Sequence, residues 1–371
     1  MGKRKKVYIR FIKTILKALK MAHVRRYPHK HDPKIYGVWV NVAILALRQL
    51  EDKSYRFVVE LAAEMPNVLV LLEIADAPHW TTLHKAAKKL KGSFIERLVA
   101  AIVAATKSTF VRAGIDATGL QLTRASSYYT EVLKKDRKRR RSIKKHLKLS
   151  TVVDLTHQLP ICFKIRRGPA SDHWDCDRLI REAYRIKPFK SFDGDKGYTG
   201  EEHRRIVVEE CHAEDRINVK NPEVPIWRTK GYYLKQAKKR RLRANYRSLN
   251  ETYHSVMKRI MGSTVRAVST RMQNREGAFK VLACSAYRQA VSLLNRELFY
   301  WAMDLEKNAL SVRHGRKEVS RGLLPAKPVR KLFRRRQTKN WMETGAEKTR
   351  QNRYGQLPHN DMAQPLLARL A

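Results

Sequence analysis

Acidic residues are scarce in this chain, with 34 Asp and Glu against 79 Lys and Arg. Three of them fall where converging carboxylates would do chemistry. Asp116 closes an apolar run, Asp195 directly precedes Lys196-Gly197-Tyr198, and Glu251 lies inside a long helical segment. Such acids suit phosphoryl transfer, because two divalent ions about 3.5–4 Å apart can bridge the attacking and leaving oxygens. Mg²⁺ takes hard oxygen ligands and keeps some water, so three protein carboxylates suffice. Acids at the ends of adjacent central strands, with one from a helix packed across them, would supply that geometry. Plainer roles are open for each: a strand-end turn for Asp116, a turn before Gly197 for Asp195, and an exposed i,i+4 ion pair with Arg247 for Glu251. Asp193, two residues before Asp195, shares its strand face and is the rival ligand.

The helix around Glu251 can be tested by angle. At about 100° per residue, Leu242, Tyr246, Leu249, Tyr253, Val256 and Ile260 fall within about 40° of one direction. Arg247, Glu251, His254 and Lys258 cluster roughly 120–180° away. This spacing predicts a polar outer face carrying Glu251, which reaches the sheet edge only if the helix crosses the sheet obliquely.

The elements that must position these groups are set in a chain of 371 residues with formal net charge +45. A domain so charged self-repels unless a polyanion relieves it, and nucleic acid is the commonest such partner. A hydrophobic content of 43% still allows a core and excludes a wholly disordered chain. Cys162, Cys176, Cys211 and Cys284 form no C-x-x-C pair, against a zinc ribbon or disulfide scaffold. The longest uncharged stretch, Ile35 to Leu47, is too short to cross a bilayer, and no secretory signal is evident. The expectation is a soluble cytoplasmic protein with no membrane role.

The pattern divides the chain into a basic segment (1–34), a helical domain (35–108), an α/β region (109–305) and a basic flexible tail (306–371). In the first, Tyr8, Phe11, Ile12, Ile15, Leu16 and Leu19 recur at helical spacing, as a solvated surface helix, a DNA-backbone contact or a membrane-surface helix would. In the second, WTTLHKAAKKL carries Lys85, Lys88 and Lys89, and either a helix-turn-helix variant or a plain bundle fits. Ser93 and Glu96 are spaced as a capping box. The third reads as three strands, helix, strand, helix, strand and long helix (roughly 238–261), then a helix around 278–305, a mixed sheet flanked by helices. Ten of the fifteen residues from Lys134 to Lys148 are Lys or Arg, Arg139, Arg140 and Arg141 among them, too dense to bury and suited to phosphates. Asp172, His173, Asp175, Cys176 and Asp177 spread around a helix and read as a capped helix start rather than a metal cluster. Trp227, Tyr232 and Tyr233 lie in a basic loop, either packed or available to stack on an unpaired base.

GIDATG, then DGDKGYTG, then R-x3-E-x6-K as Arg247, Glu251 and Lys258, resemble the Asp-Asp-Glu insertion-sequence transposases of bacteria and archaea. Their third motif is written Y-x2-R-x3-E-x6-K; here Ala244 holds the Tyr position, with Tyr246 two residues later. The resemblance covers roughly 35–300, including HWTTLHKAAKKL before the catalytic part. It implies a ribonuclease-H-like α/β fold preceded by an all-helical domain. It further implies that Asp116, Asp195 and Glu251 hold two Mg²⁺ or Mn²⁺ ions, with Arg247 and Lys258, and Lys196 beside Asp195, on DNA phosphates. The activity implied is cleavage at terminal inverted repeats and strand transfer into target DNA. The protein would act as a homodimer or larger synaptic complex in a prokaryotic, nucleoid-associated setting. Two alternatives are a catalytically inactive DNA-binding relic of such an element and a structural nucleic-acid-binding protein whose acids need not meet.

Overall fold

Apolar stripes at helical spacing build the N-terminal part, as amphipathic helices that bury one face each. In the computed structural model, which describes residues 2–28, 35–106, 111–123, 146–168, 170–240 and 247–292, these are α1 (Gly2–Met21), α2 (Val38–Glu51), α3 (Tyr55–Ala63), α4 (Pro66–Leu72), α5 (Trp80–Lys89) and α6 (Gly92–Ala104). Ser54 caps α3 by accepting the Phe57 N–H at 3.2 Å, and Pro66 opens α4 where no intrahelical N–H is needed. The stripe of α1 is core: Phe11, Ile12, Ile15 and Leu19 are fully buried, against α2, α4 and α6. Among its described side chains Lys13, Lys17 and Lys20 are exposed on the other side.

Ser93 and Glu96 form no capping box. Helix α6 starts two residues earlier than that pattern requires, with Lys91 at its N-cap and no side-chain cap. Glu96 turns instead toward Lys164, Glu182 and Arg178, where burial raises its pKa and Lys164 opposes the rise.

Strands β1 (Arg112–Leu122), β2 (His146–Asp154) and β3 (Leu159–Arg167) run antiparallel in turn, with Gln158 at φ 55 in the tight β2–β3 turn. After α7 (His173–Ile186) comes the short β4 (Ser191–Gly194), parallel to β1. Helix α8 (Glu201–Arg205), continued by a π turn (Ile206–Glu210), leads to β5 (Glu214–Ile217), parallel to β4. The sheet order is β3-β2-β1-β4-β5. Helices α9 (Tyr232–Arg240) and α10 (Arg247–Met261) follow, then β6 (Thr264–Val265) and helix α11 (270–292). The sequence reading joined α9 and α10 across 241–246, which lie outside the described residues, placed the start of α11 eight residues late and missed β6. Two residues of strand carry too little pattern to be read.

Alternation along β1 divides the core. Ala113 and Ile115 face α7, whereas Leu120 joins a second core shared with α10, α11 and the N-terminal helices. Met1–Trp301 is accordingly one compact unit, and the change near 108 marks a switch from helix to sheet within a shared interior. The tail 306–371 and the run 134–145 lie outside the described residues. Among the described residues no helix is long and apolar enough to cross a membrane, and the four cysteines are buried and free.

A buried polar knot ties the two parts. Lys280, fully buried on α11, donates to Asp52 Oδ1 at 3.2 Å and to the carbonyl of Met261, the last residue of α10. Arg266 reaches the other Asp52 oxygen at 3.2 Å, and Glu276 accepts the N–H groups of Arg266 and Ala267 at 3.2 and 2.9 Å. Asp52 itself is the left-handed C-cap of α2. Lys280→Met keeps the volume but strands a carboxylate oxygen and a helix-end carbonyl, so a loss of about 2–3 kcal/mol is expected in urea unfolding. An unchanged midpoint would show that the knot contributes nothing to holding α10.

Candidate active site at the strand ends

Gly114 is the residue that lets α10 lie directly on the sheet. A Cβ there would stand 2.4 Å from Asn250 Nδ2 and 3.0 Å from Leu155 Cδ2. The helix therefore presses on β1 at Asn250, which is 1% exposed. Its buried face runs through Asn250, Tyr253, His254, Met257 and Met261, not through Leu249, Val256 and Ile260, which are only half-buried. The sheet-facing direction is thus rotated by about 80° from the one that the apolar residues predict. That rotation corrects the placement of His254, which is core rather than solvent face. It also moves Glu251, still exposed, from opposite the sheet to the flank of the packed face, about 100° from its centre.

On β1, Asp116 is not the strand end that the sequence suggests, because β2 pairs with β1 along its whole length. The edge facing β4 is different. There the last registered pair is Ile115 with Gly194, and pairing resumes only at Gln121 with Thr264 of β6. Asp116 and Asp195 are the next residue on each of two neighbouring parallel strands, both on the face covered by α10, at the mouth of this notch. Asp195 remains in extended backbone and leads into a 3-10 turn, Lys196–Tyr198.

Asp116 is fixed from several sides. Its Oδ1 accepts the Ala117 N–H at 2.8 Å, and its Oδ2 lies 4.0 Å from His254 Nε2. The same imidazole nitrogen is 3.1 Å from the hydroxyl of Thr151, the β2 residue in register with Asp116. Burial, reinforced by Lys258, pushes His254 down to about 4, with a bond to the Asp116 backbone opposing, so the ring is neutral near pH 7. Sequence reasoning missed this ring because polar residues were assigned outward. The signal was its i,i+4 spacing from Asn250, another polar residue beneath the helix.

Oxygen chemistry at Asp116 and Asp195 suits a hard divalent cation, as two carboxylates on one face of adjacent strands. The fit is a pair rather than a cage: among the described residues, no three His, Cys, Asp or Glu side chains stand close enough together to hold an ion. Mg²⁺ does not demand a cage, since it is commonly held by one or two carboxylates with water and substrate phosphate. Asp193, buried and level with Gly114, is deeper under α10 than Asp195, which is half-buried at the mouth.

The acidic run on α7 is divided among partners, and Asp172 provides no side-chain cap for the helix. Asp172 pairs with Lys148, Asp175 takes a two-pronged contact from Arg166 at 2.5 and 2.6 Å, and Asp177 binds His203.

Two lysines stand near the notch. Lys196 is exposed beside Asp195, and Lys258 lies on the Glu251 flank of α10. The Arg247 side chain and Arg139, Arg140 and Arg141 lie outside what is described. Helix α5 buries Leu83 and Ala87 and exposes Lys85, Lys88 and Lys89. Trp227 and Tyr232 are 74% and 65% exposed, with the Arg228 guanidinium 4.7 Å over Trp227, while Tyr233 is engaged with Glu201 and Glu209.

The depressed His254 pKa has a consequence for stability. Between the ordinary value of 6.5 and about 4, the unfolded state binds a proton that the folded state refuses. Stability is therefore unaffected above pH 6.5, falls as pH drops through this window, and has lost about 3 kcal/mol below it. Thermal melts from pH 7.5 to 4 should show a steeper decline for the wild type than for His254→Gln. Parallel declines would mean that the imidazole is not held neutral.

No protein-family model and no curated protein matches the chain. Among solved structures, the cryo-EM structure of a piggyBac transposase synaptic complex with hairpin DNA is similar at a TM-score of 0.37 and 9% identity. The match covers 88% of this chain and 86% of that chain. At that TM-score the architecture rests on this chain's own strand order and register.

Proposed function

We propose that this protein is a transposase with a ribonuclease-H-like catalytic region, cutting DNA at terminal inverted repeats and joining the freed ends to target DNA. The observation that carries the reading is the placement of Asp116 and Asp195 side by side at the notch beneath α10, with Glu251 on that helix's near flank. The motif resemblance names the same three residues in the same order. A mixed sheet, antiparallel through β1–β3 and parallel through β1, β4 and β5, also supports it.

In this reading Asp116, Asp195 and Glu251 bind two Mg²⁺ or Mn²⁺ ions. The chemistry such ions supply when bound is activation of water, then of a DNA 3′-hydroxyl, and stabilisation of the departing 3′ oxygen. The protein's own groups do the positioning. His254, bonded to Thr151, stands 4.0 Å from the Asp116 carboxylate as a neutral ring and adds no positive charge beside it. Lys196, Lys258 and Arg247 take phosphate oxygens near the scissile bond. The basic run with Arg139, Arg140 and Arg141, and the α5 lysines, add sequence-blind, salt-sensitive affinity. Trp227 and Tyr232 offer open rings to an unpaired base. Assembly as a homodimer or larger synapse, acting on nucleoid DNA in a prokaryotic cell, belongs to the same reading.

One observation favours a second reading, a DNA-binding relic or structural nucleic-acid-binding protein: among the described residues no third ligand stands with the pair. Cleavage of DNA carrying the element's own ends, with and without Mg²⁺, separates the two. Wild type should cut at the repeat boundary only with metal, and Asp195→Asn should bind the same DNA with the same salt dependence but not cut. Binding without cutting by the wild type would select the relic.

A further inference from the structure

Tyr198, three residues after Asp195, is a large buried side chain that packs with Ala113, Ile115 and helix α7. It is 2% exposed, and its hydroxyl makes no hydrogen bond among the described residues. A buried hydroxyl left unmade is unfavourable, and phenylalanine would fill the same space without it. The ring lies in the apolar core beside α7, and carboxylates act on its hydroxyl from nearby. Burial first, then Asp172, Asp116, Cys176 and Asp195, raise its pKa. Asp172 comes to this place from the start of α7: a Cβ on Gly197 would stand 2.9 Å from its Oδ2. Its charge is balanced by Lys148, whose ammonium also donates to the Ala170 carbonyl at 2.6 Å.

We infer that Tyr198 and Asp172 hold the water shell of a divalent cation bound at Asp116 and Asp195, the hydroxyl donating to an outer water and Asp172 accepting from an ion-bound one. The inference rests on the proposed ion site and adds two positioning residues to it. It also accounts for why two strand-end carboxylates are enough: a cation that keeps most of its water needs partners for that water more than further direct ligands. Gly197 is part of the arrangement, since any side chain there would occupy the space into which Asp172 projects.

The test is Mn²⁺ binding to the full-length protein, read from the free-ion electron paramagnetic resonance signal, together with thermal melts in EDTA. Four proteins are compared: wild type, Tyr198→Phe, Asp172→Asn and Asp195→Asn. Wild type should bind and Asp195→Asn should not. Tyr198→Phe and Asp172→Asn should each weaken Mn²⁺ by about tenfold or more. In EDTA the Tyr198→Phe melting temperature should equal or exceed that of the wild type, because the partnerless hydroxyl is gone. Wild-type affinity in both Tyr198→Phe and Asp172→Asn, with Asp195→Asn still inactive in binding, would overturn this inference and leave the ion site standing. A lowered melting temperature for Tyr198→Phe in EDTA would overturn it too, by giving the hydroxyl a structural role. Failure of the wild type to bind Mn²⁺ at all would remove the ion site and the inference together.

Discussion

Everything at the notch depends on how closely α10 approaches β1. A Cβ at position 114 would overlap the buried side chain of Asn250 on that helix. With glycine there, Asn250 seats on the strand, His254 reaches Thr151 and Asp116, and Glu251 is carried along on the flank. The approach is secured from the far end. Lys280 and Asp52 hold the last carbonyl of α10 against the N-terminal helices, so the helical region is the clamp for the helix that bears Glu251. A basic, helical N-terminal part and an acidic notch are in this way mechanically one object.

The charge distribution follows a consistent division. Over most of the chain cations are in excess, and several acids away from the notch are paired internally: Asp175 with Arg166, Asp215 with buried Arg204, Glu210 with Arg181. At the ends of β1 and β4, Asp116 and Asp195 come together on one face of the sheet, with Lys196 and Lys258 near them.

Much of this was legible from residue order. The β2–β3 turn at Gln158, the short β4 before Asp195, and α7 all lie where the sequence puts them: apolar runs bounded by turn residues mark the strands, and α7 has one solvated and one buried face. Three things were not legible. The face of α10 was misread because its buried half is polar, Asn250 and His254 packing over Thr151 and Asp116, so an apolar-only stripe points the wrong way. Asp116 looks like a strand end in the sequence, whereas the edge that stops there belongs to β4, a partner nearly 80 residues away. The role of Lys280 was invisible for the same reason: a lysine in an otherwise apolar helix gives no local hint that it will meet Asp52.

The central claim is that Asp116, Asp195 and Glu251 serve one ion site. Its most direct test replaces Mg²⁺ with Fe²⁺, generates hydroxyl radicals at the bound ion and maps backbone scission by mass spectrometry. Cuts are expected in three separate stretches, around 116, around 195 and around 251, and are expected to vanish when excess Mg²⁺ competes. Cuts around 116 and 195 with none around 251, or no Mg²⁺-sensitive cuts at all, would contradict it.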